Sequence, residues 1–187
     1  MPVLFFPEQR NLSMQHIHNP VTEFQEEQQF RQHWVWLLLL ATTVGVIGMF
    51  AHGIYTQLYL GQVWGDRPMS NTALVISAAF SFLICAGFTL LFYKLKLITG
   101  VSPDGIHIRF FPLTRRIISF DSITSCKART YRPIREYGGW GIRFSRKGNA
   151  YNVSGNRGVQ LEFKQGKPLL IGSQKAEELA HAINKYL

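Results

Sequence analysis

The chain has 187 residues, 47% of them hydrophobic, and its 20 Lys and Arg against 11 Asp and Glu give a net charge of +9. Its two cysteines, Cys85 and Cys126, are too few for a disulfide scaffold, and both are expected to stay reduced. The mean hydropathy of +0.02 averages two greasy segments with a polar remainder.

The first region, residues 1–33, is mostly polar and carries Glu8, Glu23, Glu26 and Glu27, unlike the basic start and short apolar core of a secretory signal. Thr22-Glu23-Phe24-Gln25 fits a capping box and predicts an amphipathic helix running toward Trp34, while Met1 to Pro20 is expected to be loosely ordered. His16 and His18 have a spacing that can bind metal, but no other ligand cluster accompanies them. No metal site and no cofactor are therefore expected.

Residues 34–93 predict a transmembrane hairpin. Trp34 to Tyr55 and Thr72 to Tyr93 are apolar runs of about 22 residues, which at ~1.5 Å per residue cover the ~30 Å hydrocarbon core of a bilayer. Leu37-Leu38-Leu39-Leu40 and Leu74-Val75-Ile76 leave no polar face, as a pair of helices in a soluble core would require. Trp34, Trp36, Tyr55 and Tyr59 bracket the first run, and Phe92 and Tyr93 close the second, as aromatic belts do at membrane interfaces. Between them Gly61, Gly65 and Pro68 predict a turn, and Ser70 a cap for the second helix. Ala41 with Gly45, and Ser77 with Ser81, are four apart and are expected to pack the two helices together rather than join subunits.

Charge sets the expected orientation. The turn carries Arg67 balanced by Asp66, whereas Arg31 precedes the first run and Lys94 and Lys96 follow the second, so both ends are expected in the cytoplasm. From Lys94 onward there are eight Lys and nine Arg against two Asp and four Glu, a net +11, so essentially all of the basicity belongs to residues 94–187. Such an excess follows from the positive-inside rule alone, and equally from attraction to an anionic inner leaflet.

The basic region reads as strands ending in a helix. Ile106, Ile108 and Phe110 alternate with His107 and Arg109 after the Asp104-Gly105 turn. Further strands are predicted over Leu95–Val101, Arg116–Phe120, Ile123–Tyr131, Gly141–Phe144, Ala150–Val153, Val159–Phe163 and Pro168–Ile171. Ser173 is placed to cap a helix whose Ala176, Leu179, Ala180, Ile183 and Leu187 form one apolar face, which would plug an open end of the sheet structure. The expected fold class is an α+β membrane protein: a two-helix hairpin followed by a small β-barrel or sandwich closed by a C-terminal helix.

Several segments carry a likeness to known chains: Phe30-Arg31-Gln32-His33-Trp34, the outer turn Gly65 to Ser70, Tyr131 to Arg143 (YRPIREYGGWGIR), Ala150 to Leu161 (AYNVSGNRGVQL) and Leu170 to Lys175. In these, from about Val21 on, the chain resembles uncharacterised bacterial and archaeal membrane proteins in which two membrane helices precede a pleckstrin-homology-like (PH-like) domain. The resemblance implies that fold and location and no biochemical activity.

In Tyr131 to Arg143, Pro133, Gly138, Gly139 and Gly141 interrupt regular structure while Arg132, Arg135 and Arg143 surround Tyr137 and Trp140. Arginine pairs bidentately with phosphate or carboxylate and Tyr and Trp favour the bilayer interface, so these residues with Arg129 and Arg157 are the candidate lipid- or partner-binding set. The competing reading packs Trp140 into the domain, makes a bulge of the glycines and pairs the arginines with Glu136 and carbonyls. Gly155-Asn156-Arg157-Gly158 lacks the Lys of a nucleotide-binding loop, and no GxSxG or HExxH pattern occurs. No catalysis is expected, and nucleic acid is not expected as a partner. The leading expectation is a membrane-anchored cytoplasmic interaction module for anionic headgroups or an acidic protein segment. The alternatives are a structural subunit of a larger membrane assembly, with a membrane protein or a second copy as partner, and last a membrane enzyme or transport component.

Overall fold

The computed structural model describes residues 22–146 and 148–187. The expectations for Met1 to Pro20, including His16 and His18, lie outside the described residues.

A run without a polar face has nothing to turn outward, and the structure leaves it unburied. α1 (His33–Ile54) continues into one π turn (Tyr55–Tyr59), and α2 (Asn71–Lys94) returns alongside it. Both are long and apolar enough to cross a membrane, and within the protein they bury almost nothing: Leu37 and Leu83 are each 65% exposed. Ser70 caps α2 as its sequence position predicts, its hydroxyl accepting from the Ala73 amide at 3.3 Å. Gln57 Nε2 donates to Met69 O at 2.7 Å and Asn71 Oδ1 at 2.8 Å, tying the turn across the helix ends. Trp64 folds back over Gly53, where a Cβ would lie 2.8 Å from its ring, so only glycine admits it. The Ala41 and Gly45 pair does not serve the hairpin seam: both are exposed, and a Cβ on Gly45 would meet nothing within 4 Å.

Among the described residues, nine strands form two sheets. In the first, β1 (Phe24–Gln29), β2 (Lys96–Ser102), β3 (Gly105–Phe111) and β4 (Thr114–Ile118) run antiparallel in chain order. The second has the order β5 (Ile123–Thr130), β8 (Arg157–Phe163), β9 (Leu169–Gly172), β7 (Gly148–Asn152), β6 (Gly141–Ser145), with β7 and β9 its parallel pair. Each strand's alternation sends one set of side chains inward. Leu97, Ile106 and Phe110 from the first sheet meet Val159, Leu161 and Ile171 from the second in a single core, all at most 1% exposed. α4 (Ala176–Asn184) completes that core with Leu179 and Ile183 and packs on β5 and β8 of one sheet and β1 and β2 of the other. β9 is buried on both faces, because Leu170 turns outward to join Tyr131, Tyr137 and Ala150 in a second small core under α3 (Pro133–Tyr137).

The structure decides one alternative and differs from further sequence-based expectations. Of the expected barrel or sandwich, the barrel is not formed: no strand of one sheet pairs with a strand of the other among the described residues, and the two sheets share a core as a sandwich does. Residues 24–29 form a strand, not the helix that the capping-box pattern predicts. The pairing Phe24↔Val101 to Gln29↔Lys96 satisfies their backbone, and Phe24, Glu26 and Gln28 turn inward. Ser173 is not the cap of α4, whose N-cap is Lys175; its hydroxyl accepts from the Lys175 amide and donates to Glu26 at 2.5 Å. Leu187 lies beyond α4 and is half exposed, because the helix ends at Asn184 and the core is already filled by Ile183.

Candidate functional site

The two ends of the hairpin are fixed to each other by the domain. Three residues separate β1 from α1, and Leu95 alone separates α2 from β2, so the β1–β2 ladder clamps the base of the helix pair. Phe30 packs edge-on against Phe92 at 5.7 Å and Phe110 at 6.3 Å, and Trp36 Nε1 donates to Phe30 O at 3.0 Å. Apolar helix therefore passes into folded domain with no linker, and two concavities flank the junction.

One is cationic. A cavity of about 550 Å³ is lined by Arg31, Lys94 and Lys96 together with Trp36, Phe92 and Tyr93. Lys96 pairs with Glu27 at 2.8 Å and, with a further bond from Gln29, holds the Glu27 carboxyl below its usual range. Arg31 and Lys94 have no carboxylate within ion-pair distance among the described residues. These three cations served in the sequence only to orient the hairpin. The signal that would have made them a site was the strand before the helices, which pairs Gln29 with Lys96.

The other is apolar. A cleft of about 770 Å³ lies between the first turns of α1, contributing Trp34, Leu38 and Leu39, and the domain's Leu113, Ile134 and Trp140. Arg143 is the one charged side chain among its described lining residues. Leu113 and Ile134 are 55% and 70% exposed, unusual for apolar residues on a turn and on a five-residue helix. Neither was a candidate in the sequence, where Leu113 simply ends the apolar run Phe110-Phe111-Pro112 and Ile134 stands between Pro133 and Arg135.

The predicted binding set divides by what holds each residue. Arg129 lies on β5, and its guanidinium donates to Glu136 Oε2 at 2.9 Å, Tyr137 Oη at 3.1 Å and Gln160 Oε1 at 3.1 Å. The other Glu136 oxygen accepts the Arg132 backbone amide at 2.7 Å, so this carboxylate closes the first turn of α3. Tyr137 is buried beneath α3 with Tyr131, and burial pushes both phenols up from their usual range. Arg129 and Tyr137 are thus interior fittings, and Tyr137 is not a surface anchor. Arg157 is exposed and paired with Glu177. Pro133 at the helix start and Gly138 at its end, in the left-handed conformation at φ 75°, delimit α3 and turn the chain toward Trp140.

Of the predicted set, three arginines have no carboxylate in ion-pair reach among the described residues: Arg132 at the N-cap of α3 and Arg135 within it, both exposed, and Arg143, half-buried on the edge strand β6. Arg143 Nε donates to Trp140 O at 2.8 Å. Trp140 itself donates from Nε1 to Gly155 O at 3.0 Å, packs at the margin of the main core and faces Trp34 across 6.3 Å. Of the predicted set, then, Trp140 and Arg143 come together beside α1, Arg132 and Arg135 lie exposed at α3, and Arg129, Tyr137 and Arg157 are engaged within the domain.

Ser102, Asp104 and His107 also cluster. Ser102 Oγ donates to Asp104 Oδ1 at 2.5 Å and His107 Nε2 lies 3.1 Å from the other carboxylate oxygen. Hydroxyl and imidazole both engage the carboxylate, not each other, so the group is a clasp on the β2–β3 turn; it holds the Asp104 carboxyl below its usual range. The described residues contain no group of three or more His, Cys, Asp or Glu that could hold a metal ion.

No curated protein matches the sequence. The model of a family of unknown function, DUF6141, matches residues 24–186, from the first residue of β1 to two residues past α4, and the chain belongs to that family.

Proposed function

We propose that the protein is a membrane-anchored interaction module, with a PH-like domain held on the cytoplasmic surface by the hairpin and binding anionic lipid headgroups there. The observation that carries the reading is the collar at the hairpin's base: Arg31, Lys94, Lys96 and Arg143 line the two cavities with Trp34, Trp36 and Trp140 where apolar helix becomes folded domain. Tryptophan favours the headgroup level, and each Lys or Arg near an anionic leaflet contributes on the order of 1 kcal/mol. The exposure of α1 and α2 within the protein supports a bilayer around them, since a soluble core helix would be covered. The β1–β2 ladder supports both ends lying on one side. Two sheets sharing a core with a C-terminal helix packed across them support the PH-like reading of the domain. Exposed Phe144, 76% accessible on the edge strand β6, favours a second reading in which the domain edge docks another protein.

The full chain, embedded in bilayers of nine parts phosphatidylcholine to one part phosphatidylglycerol and excised with a surrounding lipid annulus, tests the proposal. Phosphatidylglycerol enriched in the annulus over the bulk bilayer, and returned toward the bulk ratio by Arg31→Gln/Lys94→Gln/Lys96→Gln, is the expected result. An annulus of bulk composition, or enrichment that the triple variant retains, overturns headgroup binding at the collar. The full chain is required, because a fragment starting at Lys94 lacks β1 and exposes the edge of β2.

A further inference from the structure

We propose that the apolar cleft between α1 and the α3–β6 segment is a binding site for one anionic phospholipid, with an acyl chain along Trp34, Leu38 and Leu39 and the phosphate on Arg143. The inference rests on the membrane reading above and goes beyond it, from a collar that attracts many headgroups to a site that holds one molecule.

Three observations converge on this occupant. The first is shape and continuity: at about 770 Å³ the cleft falls within the ~300–1,000 Å³ of ligand sites, and its helix wall is continuous with the exposed apolar surface of α1. An acyl chain reaches it sideways from the hydrocarbon layer without crossing water.

The second is the charge. A half-buried guanidinium in an apolar wall is costly unless an anion balances it, and no carboxylate of the described residues does so for Arg143. Its Nε is spent on Trp140 O, which fixes the plane of the group. The four terminal N–H donors have no hydrogen-bond acceptor among the described residues and keep the forked geometry that phosphate accepts bidentately. Gly139 is part of the same device. Its φ is 121°, and a Cβ there would lie 3.2 Å from Arg143 Nη2, so the absence of a side chain lets the guanidinium lie against the backbone.

The third is the polar fitting beside it. Gln32, also in the cleft wall, donates from Nε2 to Val153 O at 2.6 Å and leaves Oε1 buried without a protein partner. A headgroup hydroxyl, such as phosphatidylglycerol carries, supplies the donor such an acceptor lacks. Trp34 from the helix and Trp140 from the domain flank the cleft at the depth where a headgroup meets its chains.

The test is native mass spectrometry of the full chain, delipidated in neutral detergent and titrated separately with dioleoyl phosphatidylglycerol and dioleoyl phosphatidylcholine. One phosphatidylglycerol per chain is expected to bind roughly tenfold more tightly than phosphatidylcholine, the factor that ~1.4 kcal/mol of charge-assisted pairing represents. Arg143→Gln is expected to abolish the preference, and Arg143→Lys to restore part of it. Leu38→Trp, on an exposed helix position that does not enter the domain core, is expected to weaken both lipids. The collar variant Arg31→Gln/Lys94→Gln/Lys96→Gln is expected to keep the single tight lipid while losing annular enrichment, so failure of the site and failure of the collar read out separately. Binding with no headgroup preference, or binding unchanged by Arg143→Gln and Leu38→Trp, overturns the proposal. So does a chain dimer, sensitive to Leu38→Trp, in place of lipid, or lipid uptake that requires deletion of residues 1–21.

Discussion

The hairpin and the β-domain use the same apolar residues to opposite ends. Leu37 on α1 is 65% exposed while Leu97 on β2 is fully buried. The difference lies in the neighbours each sequence pattern supplies. Alternation gives a strand one face to bury and one to leave in water, so nine strands and α4 can enclose Leu97, Leu161 and Ile171 completely. An unbroken run gives a helix no such choice, and α1 and α2 cover each other only along one seam. The domain carries its own apolar environment; the hairpin must find one outside.

Truncation of Leu97 draws that contrast most sharply. Leu97→Ala is expected to lower the domain's unfolding free energy by about 2–5 kcal/mol, through lost burial and a residual cavity. Leu37→Ala is expected to leave the domain's thermal transition in detergent unchanged. Equal effects on that transition would mean that the two regions share one core.

The junction between the regions is the next place to press. β1 is held to the C-terminal part of the chain by Glu26, which accepts from Ser173 Oγ at 2.5 Å and the Gln174 amide at 2.8 Å, and by Gln28 Nε2, which donates to Gly172 O at 2.8 Å. Glu23 adds bonds from Lys185 and Tyr186, both at 2.8 Å, which keep its carboxyl below the usual range. Glu26→Ala is expected to cost about 1–3 kcal/mol by orphaning buried donors. Hydrogen exchange should then quicken first in residues 24–29 and in β2; exchange unchanged there would show that the backbone ladder alone fixes β1.

A pH titration separates the domain core from its surroundings. Burial pushes the Cys126 thiol up to about 12, above the ~8.5 of an unfolded chain. A raised pKa gives stability that is complete below the unfolded value and is lost as pH rises through the folded one, so stability should decline from about pH 8.5 upward. Cys126→Ala is expected to flatten that decline, at the cost of a small cavity, and an unchanged alkaline slope would assign it to other groups. The smallest effect belongs to the helix turn. Ser70→Ala is expected to cost near the lower end of ~0.5–2 kcal/mol, given the 3.3 Å cap, and to leave the domain's melting unaltered.

Where sequence and structure agree, the pattern was local. The two helices follow from uninterrupted apolar runs, and β2 to β9 from alternation between turns. β1 was illegible because two of its inward residues are Glu26 and Gln28, whose partners lie 144 to 148 residues away. Without those partners FQEEQQ shows a helix signal and nothing else. α3 spans five residues, too few for a period of 3.6 to register. The candidate arginines were legible as a group but not in their roles, since Arg129 and Tyr137 are drawn inward by Gln160, about 23 to 31 positions on. The cleft needed four distant segments, the start of α1, the α2–β2 junction, the β3–β4 turn and the α3–β6 segment, and no single stretch of sequence contains it.

The clamp formed by β1 and β2 also bears on biosynthesis. Phe24 must wait for Val101, and everything between them is the hairpin. During synthesis, then, β2, β3 and β4 can pair as they emerge, but the first strand stays unmatched until both helices have been made. A chain threaded with its leading segment on the far side of the bilayer would strand β1 away from its partner, together with the anchors for Glu23, Glu26 and Gln28. For a hairpin inserted as proposed, the ladder would make completion of the fold conditional on correct insertion, and a misoriented copy would display an open sheet edge to the cell's quality control.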